Sequence, residues 1–404
     1  MIIIVAAPWI GFPNGTAATS RVASYARGLA AAGEDVHVIM LGPSELDEAT
    51  ATNTAVSGVY KGIPFEYTST STVKHRSLLI RRWRTVSSLL AARRRIRELH
   101  ARTGVRAVLL YSRSMPTSSF FGRVSRSVNA LYLADLCEMP YYDMTAGAAR
   151  GARQERYGRL VIGRLDLVVA ISRYLAAYAT RHLRPGAEVI VLPIMVDCDE
   201  YRTDVPPTTA PRLVVYVGML NERKDGVATL LRAFSRVAPD FPDVNLRLVG
   251  DSDEARVSNV PEFRRIAEDL GIADRVEFSG QVPRSDIPGH LRDASVLVLA
   301  RPASQQADAG FPTKLGEYLA SGRPVIVTRT SDIAEYLVDG ESAYLVPPDD
   351  EDALVTKLHR VLADPGAAAV VGAAGQRVAE ESFDYRVAGH ALAKELRRLN
   401  EGRG

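Results

Sequence analysis

The sequence predicts an α/β protein of two doubly wound, parallel-sheet domains, and three observations carry that prediction. Short β-branched runs alternate with longer amphipathic stretches along all 404 residues. The alternation is interrupted at Val205-Pro-Pro-Thr-Thr-Ala-Pro211, a stretch that cannot continue a sheet. The length suits two domains of roughly 100–200 residues each. A linker is therefore expected at 205–211 or slightly before it, with domains over 1–200 and 201–383 and a closing helical segment over 384–404.

In the first half, Ile2–Ala7, Val36–Met40, Ala107–Tyr111, Ala130–Leu133 and Leu167–Ala170 are continuous apolar runs, as strands buried on both faces must be. Helical periodicity fills the gaps at Thr19–Ala31, Leu78–Leu99, Thr117–Ser125 and Ser172–Arg181. The pattern restarts with strands at Leu213–Val217, Leu246–Val249, Val276–Ser279, Val296–Ala300 and Pro324–Val327. Two last helices, Asp352–Leu362 and Ala367–Leu399, are expected to close the chain. In doubly wound sheets ligands gather at the carboxyl ends of the strands, so the loops there are the place to look for chemistry.

Composition narrows the classes. Hydrophobic residues make up 47% and charged residues 24%, ordinary globular values that exclude a disordered tail. A net charge of +3 gives no whole-chain case for a nucleic-acid partner. Cys137 and Cys198 are the only cysteines, which excludes a Cys-type zinc site and a disulfide framework and fits a reducing, cytoplasmic setting. The apolar start, Met-Ile-Ile-Ile-Val-Ala-Ala-Pro8, has no basic leader and reads as a buried strand, not a signal peptide. No run approaches the ~18 apolar residues of a membrane span.

Four loops stand out. Gly11-Phe-Pro-Asn-Gly15-Thr16 follows the first strand; its glycines admit a ligand to the backbone, and a helix starting near Thr16 turns its positive end to an anion. It lacks the dinucleotide GxGxxG spacing, and Gly and Pro also simply make turns. Gly218-Met-Leu-Asn-Glu-Arg223-Lys224-Asp-Gly226 sets two cations beside a helix start, which suits a diphosphate and equally a solvated turn. Arg301-Pro … Gly310-Phe-Pro-Thr-Lys314-Leu-Gly-Glu317 … Gly322 is the most specific. Pro312 sits where a first helical turn tolerates proline, free N–H groups near Gly310–Thr313 can hold a phosphate, and Glu317 can accept from sugar hydroxyls. A capped helix with solvated polar groups is the alternative. Last, Asp135 and Glu138 follow the Ala130–Leu133 strand as acceptor-binding or proton-handling groups, or as caps of the next helix.

Gly-Phe-Pro-Thr-Lys-Leu-Gly-Glu-Tyr-Leu-Ala-Ser-Gly-Arg-Pro-Val resembles the donor-site signature of family 4 glycosyltransferases of the GT-B fold, in their polysaccharide-assembly subgroup. Pro13-Asn-Gly-Thr-Ala-Ala and Lys224-Asp-Gly resemble other sites of that family, so the likeness spans essentially the whole chain. It implies two Rossmann-like domains facing across a cleft, an acceptor on the first and a nucleotide-diphosphate sugar on the second. The final segment is implied to cross back to the first domain. By this resemblance Lys224 and Arg223 assist the leaving diphosphate and Glu317 binds the ribose hydroxyls. Gly310, Phe311, Pro312, Thr313, Lys314 and Leu315 meet the phosphates along the backbone, with Gly15, Gly218 and Arg301 completing the donor site. Asp135 and Glu138 serve the acceptor. Two positions depart from the family. Ala309, beside Asp308, stands where a Glu is common, and Met219 where Arg is frequent. In this subgroup that Glu is often absent, so Ala309 does not signal a dead enzyme; both departures bear on donor-sugar identity.

Lysine use points the same way. Of six lysines in the chain, Lys224 and Lys314 fall in two different candidate phosphate loops. No metal is expected, because Asp197-Cys-Asp199 and Asp251-Ser-Asp253 match a pattern common by chance, and the histidines are scattered. No Gly-x-Ser-x-Gly elbow supports a Ser hydrolase.

Charge is unevenly spread. Lys74–Arg106 holds eleven basic residues and one acid, Glu98, so +10 sits there against −7 elsewhere. Leu79, Trp83, Val86 and Leu90 recur on one helix face within it. One reading is a contact through 74–106 with an anionic membrane surface or a lipid-linked acceptor. The other is a helix covering the sheet, with Leu79 and Trp83 inside the domain. The expected function is sugar transfer from a nucleotide-sugar to an acceptor hydroxyl, with retention, on the cytoplasmic face of a membrane. A sugar-nucleotide isomerase and a catalytically silent homologue are the alternatives.

Overall fold

The computed structural model describes residues 1–142, 147–202, 211–251 and 258–402. Two compact units result: Met1–Met195 with Tyr385–Gly404, and Val196–Asp384. Of the expected linker, residues 205–210 lie outside the described residues. The chain passes between units at Met195–Val196 and again at Asp384–Tyr385, where Val196 N–H donates to Phe383 O at 2.8 Å.

The first unit is built on β1 (Ile2–Ala6), β2 (Val36–Met40), β3 (Ser57–Tyr60), β4 (Ile63–Tyr67), β5 (Ala107–Tyr111), β6 (Leu131–Leu136), β7 (Leu167–Ala170) and β8 (Glu188–Val191). They form one sheet in the order β3-β4-β2-β1-β5-β6-β7-β8, parallel except for β3 against β4. The second unit contains β9 (Arg212–Val217), β10 (Val244–Val249), β11 (Val276–Gly280), β12 (Val296–Leu299), β13 (Val325–Thr328) and β14 (Tyr344–Val346), in the order β11-β10-β9-β12-β13-β14. In each sheet the strand order reverses once, beside β1 in the first and beside β9 in the second. Loops leaving the sheet at such a switch point form its ligand crevice.

Four strands escaped the sequence reading: β3, β4, β8 and β14. β3 and β4 form a hairpin through Lys61-Gly62, both at positive φ (47° and 83°), as a two-residue turn between twisted strands requires. The expected helix Ala367–Leu399 is divided. Pro365–Val378 ends in a wide turn over Ala379–Phe383, Asp384 is extended, and a new helix runs over Tyr385–Glu401. Phe383 is held at the break by Phe311 and Tyr336, with ring centroids 5.6 and 5.0 Å away. The last helix packs on the helix Ala17–Ala31, where Gly28 and Gly389 meet backbone to backbone. Its Leu392 and Leu396 enter the core of the first unit, a gain on the order of 2 kcal/mol each.

The helix Leu78–Thr103 corrects the sheet-covering reading. Its body-facing side is Ser88, Ala92, Ile96 and Leu99. Leu79, Trp83, Val86 and Leu90 are 78%, 70%, 57% and 53% exposed, on the opposite side of the helix. The apolar periodicity was real, but it marks the outer face. No helix of the described residues is long and apolar enough to cross a membrane.

Candidate functional site

At the switch point of the second sheet, Gly218 follows the end of β9 and Ala300–Arg301 follow the end of β12. Asn221 caps the short helix Glu222–Asp225 by accepting Lys224 N–H at 3.1 Å. Gly226 (φ 68°) ends it, packed so closely on Ala300 O that no side chain fits. Glu222 then caps the next helix, accepting Ala228 N–H at 2.5 Å and the Thr229 hydroxyl at 3.0 Å. This tight turn leaves Arg223 exposed and Lys224 half-buried, and drives Asp225 inward. Among the described residues neither cation's side chain is engaged by a neighbour. Arg301 is buried and donates through Nε to Lys224 O at 3.2 Å, so it fixes the lysine's backbone.

Lys314 corrects the reading that its charge faces a phosphate. Its ammonium pairs with Asp225 at 3.1 Å and donates to Tyr216 Oη at 2.8 Å, lying 4.7 Å from that ring's centroid. Tyr216 in turn donates to Met219 O at 2.6 Å. Burial pushes the Lys314 ammonium below the ordinary lysine range, against the pull of Asp225. Gly218 (φ 152°) makes room for it, since a Cβ there would meet Nζ at 2.3 Å. Lys314 is thus a buried strut under the Lys224 loop.

The peptide groups of the third loop divide. Ser304 caps Gln305–Ala309, and that turn takes Gly310 N–H to Gln306 O at 3.0 Å; Leu315 N–H reaches Pro312 O at 3.0 Å. Gly310 and Leu315 therefore do not offer free donors, contrary to expectation, because one ends a helical turn and the other starts the next. The N–H groups of Phe311, Thr313 and Lys314 have no partner within the chain among the described residues. They point from the start of the helix Thr313–Ala320, its positive end, with Pro312 as its cap residue. The Phe311 ring is buried against Tyr336 and Phe383 and anchors the loop. Ala309 is buried and Asp308 exposed, so the neighbouring carboxylate does not replace the missing Glu.

Glu317 lies one turn further along. It accepts from Arg284 at 3.1 Å, and the same guanidinium donates to Tyr201 Oη at 3.1 Å. Burial raises the Glu317 carboxyl above the ordinary range, while Arg284 and Tyr201 hold it down. Neither Arg284 nor Tyr201 carried any sequence signal beyond a place in a loop or short helix.

Gly15, Asp135 and Glu138 belong to the first unit. Gly15 is exposed in a loop held from elsewhere: Asn53 exchanges bonds with Asn14 N–H (2.9 Å) and Asn14 O (2.8 Å), and Tyr67 Oη donates to Phe12 O at 2.9 Å. Asn53 and Tyr67 were not anticipated. Asp135 corrects the acceptor reading. It lies inside β6, not beyond it, and its buried carboxylate accepts from Arg21 Nε (3.0 Å), Arg21 Nη2 (2.8 Å) and the Tyr25 hydroxyl. Arg21 also donates to Pro193 O at 2.9 Å. Asp135 neither caps a helix nor faces solvent. Glu138 is accessible and pairs with Arg113 at 2.7 Å. Among the described residues no three acids, histidines or cysteines form a cluster that could hold a metal. Asp253 and Asp143 lie outside them.

Residues 16–194 match the glycosyl transferase 4-like domain, and residues 211–364 match glycosyl transferases group 1. A GDP-mannose-dependent alpha-(1-6)-phosphatidylinositol monomannoside mannosyltransferase of Mycolicibacterium smegmatis is 30% identical over 250 residues, 59% of this chain and 64% of that protein. A putative colanic acid biosynthesis glycosyltransferase, WcaL, of Escherichia coli is 28% identical over 238 residues, 58% and 57% of the two chains. The chain spans less than two thirds of the length of these relatives. In fold it resembles sucrose-phosphate synthase of Thermosynechococcus elongatus, with a TM-score of 0.72, 21% identity and 99% of each chain covered. Anabaena HepE, solved with UDP, has a TM-score of 0.69 at 16% identity over 98% and 100%. The chain thus matches two glycosyl transferase domain models in order, and its two doubly wound sheets have the GT-B fold of these solved structures.

Proposed function

We propose that this chain transfers a sugar, with retention, from a nucleotide-diphosphate sugar to an acceptor hydroxyl. One observation carries the reading. At the second sheet's switch point, Asp225 forms its ion pair with Lys314, while Lys224, Arg223 and three peptide N–H groups have no partner among the described residues. Such a constellation suits the charge of a departing diphosphate. The bond from the sugar's anomeric carbon to the diphosphate oxygen breaks on the face where the acceptor oxygen attaches. The acceptor's proton passes to a donor phosphate oxygen. Lys224 and Arg223 neutralise the leaving group, the start of Thr313–Ala320 meets its phosphates, and Glu317 takes the ribose hydroxyls. No protein nucleophile is required on this course.

The test is nucleotide release from a donor panel that includes GDP-mannose and UDP-glucose, with and without candidate acceptors. Release that depends on acceptor is expected. Donor consumption without an acceptor would mean an isomerase or hydrolase, and no turnover a silent homologue. Lys224→Ala should lower kcat/KM on the order of 100-fold, about 2.7 kcal/mol, without shifting the unfolding midpoint. Full activity in both Lys224→Ala and Glu317→Ala would show the donor site to be misassigned.

The reading extends to the cytoplasmic face of a membrane through 74–106. The outer stripe of Leu78–Thr103 is apolar and lies among exposed Arg82, Arg93, Arg94 and Arg97, the composition of a helix lying on an anionic bilayer. Co-sedimentation with vesicles containing phosphatidylglycerol should weaken in Trp83→Ser and with salt. Binding indifferent to both would remove the membrane contact.

A further inference from the structure

Glu317 stands one turn into the helix Thr313–Ala320, roughly 6 Å along its axis from the N–H groups at its start. Two residues from elsewhere in the second unit fix its carboxylate. Arg284 opens the turn Arg284–Asp286 after β11, and Tyr201 ends the short helix Cys198–Tyr201. Arg284 Nη2 donates to Glu317 Oε1 and to Tyr201 Oη, each at 3.1 Å. Tyr201 is also hydrogen-bonded to Glu317, so the three close a ring.

The direction of each bond in that ring is decided. A guanidinium has only donors, so Tyr201 accepts from Arg284 and its single hydroxyl proton is left for Glu317. Burial and then the charge of Glu317 push the Tyr201 phenol far above its ordinary range, against Arg284, so it stays a donor at neutral pH. Tyr201 is buried, yet 18% of the Glu317 side chain is accessible. An ionised carboxylate has about four acceptor positions. Arg284 and Tyr201 occupy two of them, which leaves about two for a ligand. Two neighbouring acceptor positions suit two neighbouring hydroxyls, and a ribose carries that pair at C2′ and C3′. A 2′-deoxyribose carries one, so a desolvated carboxylate position stays unpaired, which a hydroxyl-reading site penalises.

We propose that Tyr201 and Arg284 are positioning residues, aiming the Glu317 carboxylate so that it holds both hydroxyls of a ribose and selects ribonucleoside over 2′-deoxyribonucleoside diphosphate sugars. The proposal rests on Glu317 as the ribose contact in the sugar-transfer reading.

Calorimetric titration of UDP, GDP and their 2′-deoxy forms tests it with no acceptor present. For the base that binds, the 2′-deoxy form should bind the wild type at least about tenfold more weakly. Tyr201→Phe keeps the buried ring and removes only the hydroxyl. It should weaken the ribonucleotide about tenfold and cut the ratio between the two forms to roughly threefold or less. Arg284→Gln should cut the ratio by a smaller factor, since Gln still donates. A merely structural role would weaken both forms alike and leave the ratio at its wild-type value, with circular dichroism reporting the fold. A wild type that binds neither nucleotide, or both forms equally, overturns the ribose assignment of Glu317 and the proposal together. A full ratio retained in folded Tyr201→Phe overturns the proposal alone and leaves that assignment standing. The expected ratios with no sugar transfer from any donor would keep the positioning residues and end the activity.

Discussion

Each unit buries a cation, an aspartate and a tyrosine at the ligand end of its sheet, and the two clusters are put to different use. In the first, Arg21 places its guanidinium on Asp135, Tyr25 and the carbonyls of Leu192 and Pro193. Burial works against the charge of Arg21, Asp135 outweighs it, and the guanidinium holds its proton more firmly than usual. All of its charge is used to tie the helix Ala17–Ala31, β6 and the segment after β8 together. In the second, Lys314 joins Asp225 and Tyr216, but Asp225 is the immediate neighbour of Lys224. There the inner pair sets the height of an outer cation that stays available. A buried ion pair is thus structural in both units, and the difference lies in what stands above it.

Asp135→Ala sharpens that contrast most. It leaves Arg21 buried without its counter-charge and should cost about 3–5 kcal/mol in urea-induced unfolding of the first unit. A loss under 1 kcal/mol would mean that the cluster is not a strut. Lys314→Met should cost less, roughly 1–3 kcal/mol, for the lost ion pair with Asp225 and hydrogen bond to Tyr216, and it should raise the donor KM more than it lowers kcat. A kcat loss alone would argue that Lys314 acts on the reacting atoms directly.

The smallest effect concerns pH. Because burial raises the Glu317 carboxyl, donor KM should climb on acidification at a higher pH than an ordinary glutamate, near 4.3, would give. Arg284→Gln removes a charge that holds it down and should move this rise to still higher pH, while Glu317→Gln should abolish it. The linkage to stability runs the other way. With the folded value raised, this group stabilises below the unfolded value and loses that contribution as pH climbs through the folded one. Unfolding and donor binding should therefore respond to pH in opposite directions at this residue.

Much of the fold was legible. Long apolar runs mark strands buried on both faces, and β1, β2, β5, β7, β9 and β12 follow them closely. The β3–β4 hairpin was missed although Lys61-Gly62 is a turn signal, because Pro64 and a half-exposed face break the run. Asp135 was placed in a loop since a carboxylate seldom sits in a buried strand; Arg21, distant in sequence, makes it possible. The Arg284–Glu317–Tyr201 contact had no local signature at all, being three residues from three separate segments.

The sequence by itself determined which loops leave the strand ends and which of them carry glycine, proline and charge. Those features follow from backbone sterics and from the periodicity of burial, both local in the chain. Tertiary structure alone decided which charges are available. Lys224 and Lys314 look alike in sequence, yet Asp225 neutralises one and leaves the other free; Leu79 and Trp83 have the spacing of a core face and lie outside. Pairing and exposure depend on what a side chain meets in space, and that is fixed only when distant segments pack.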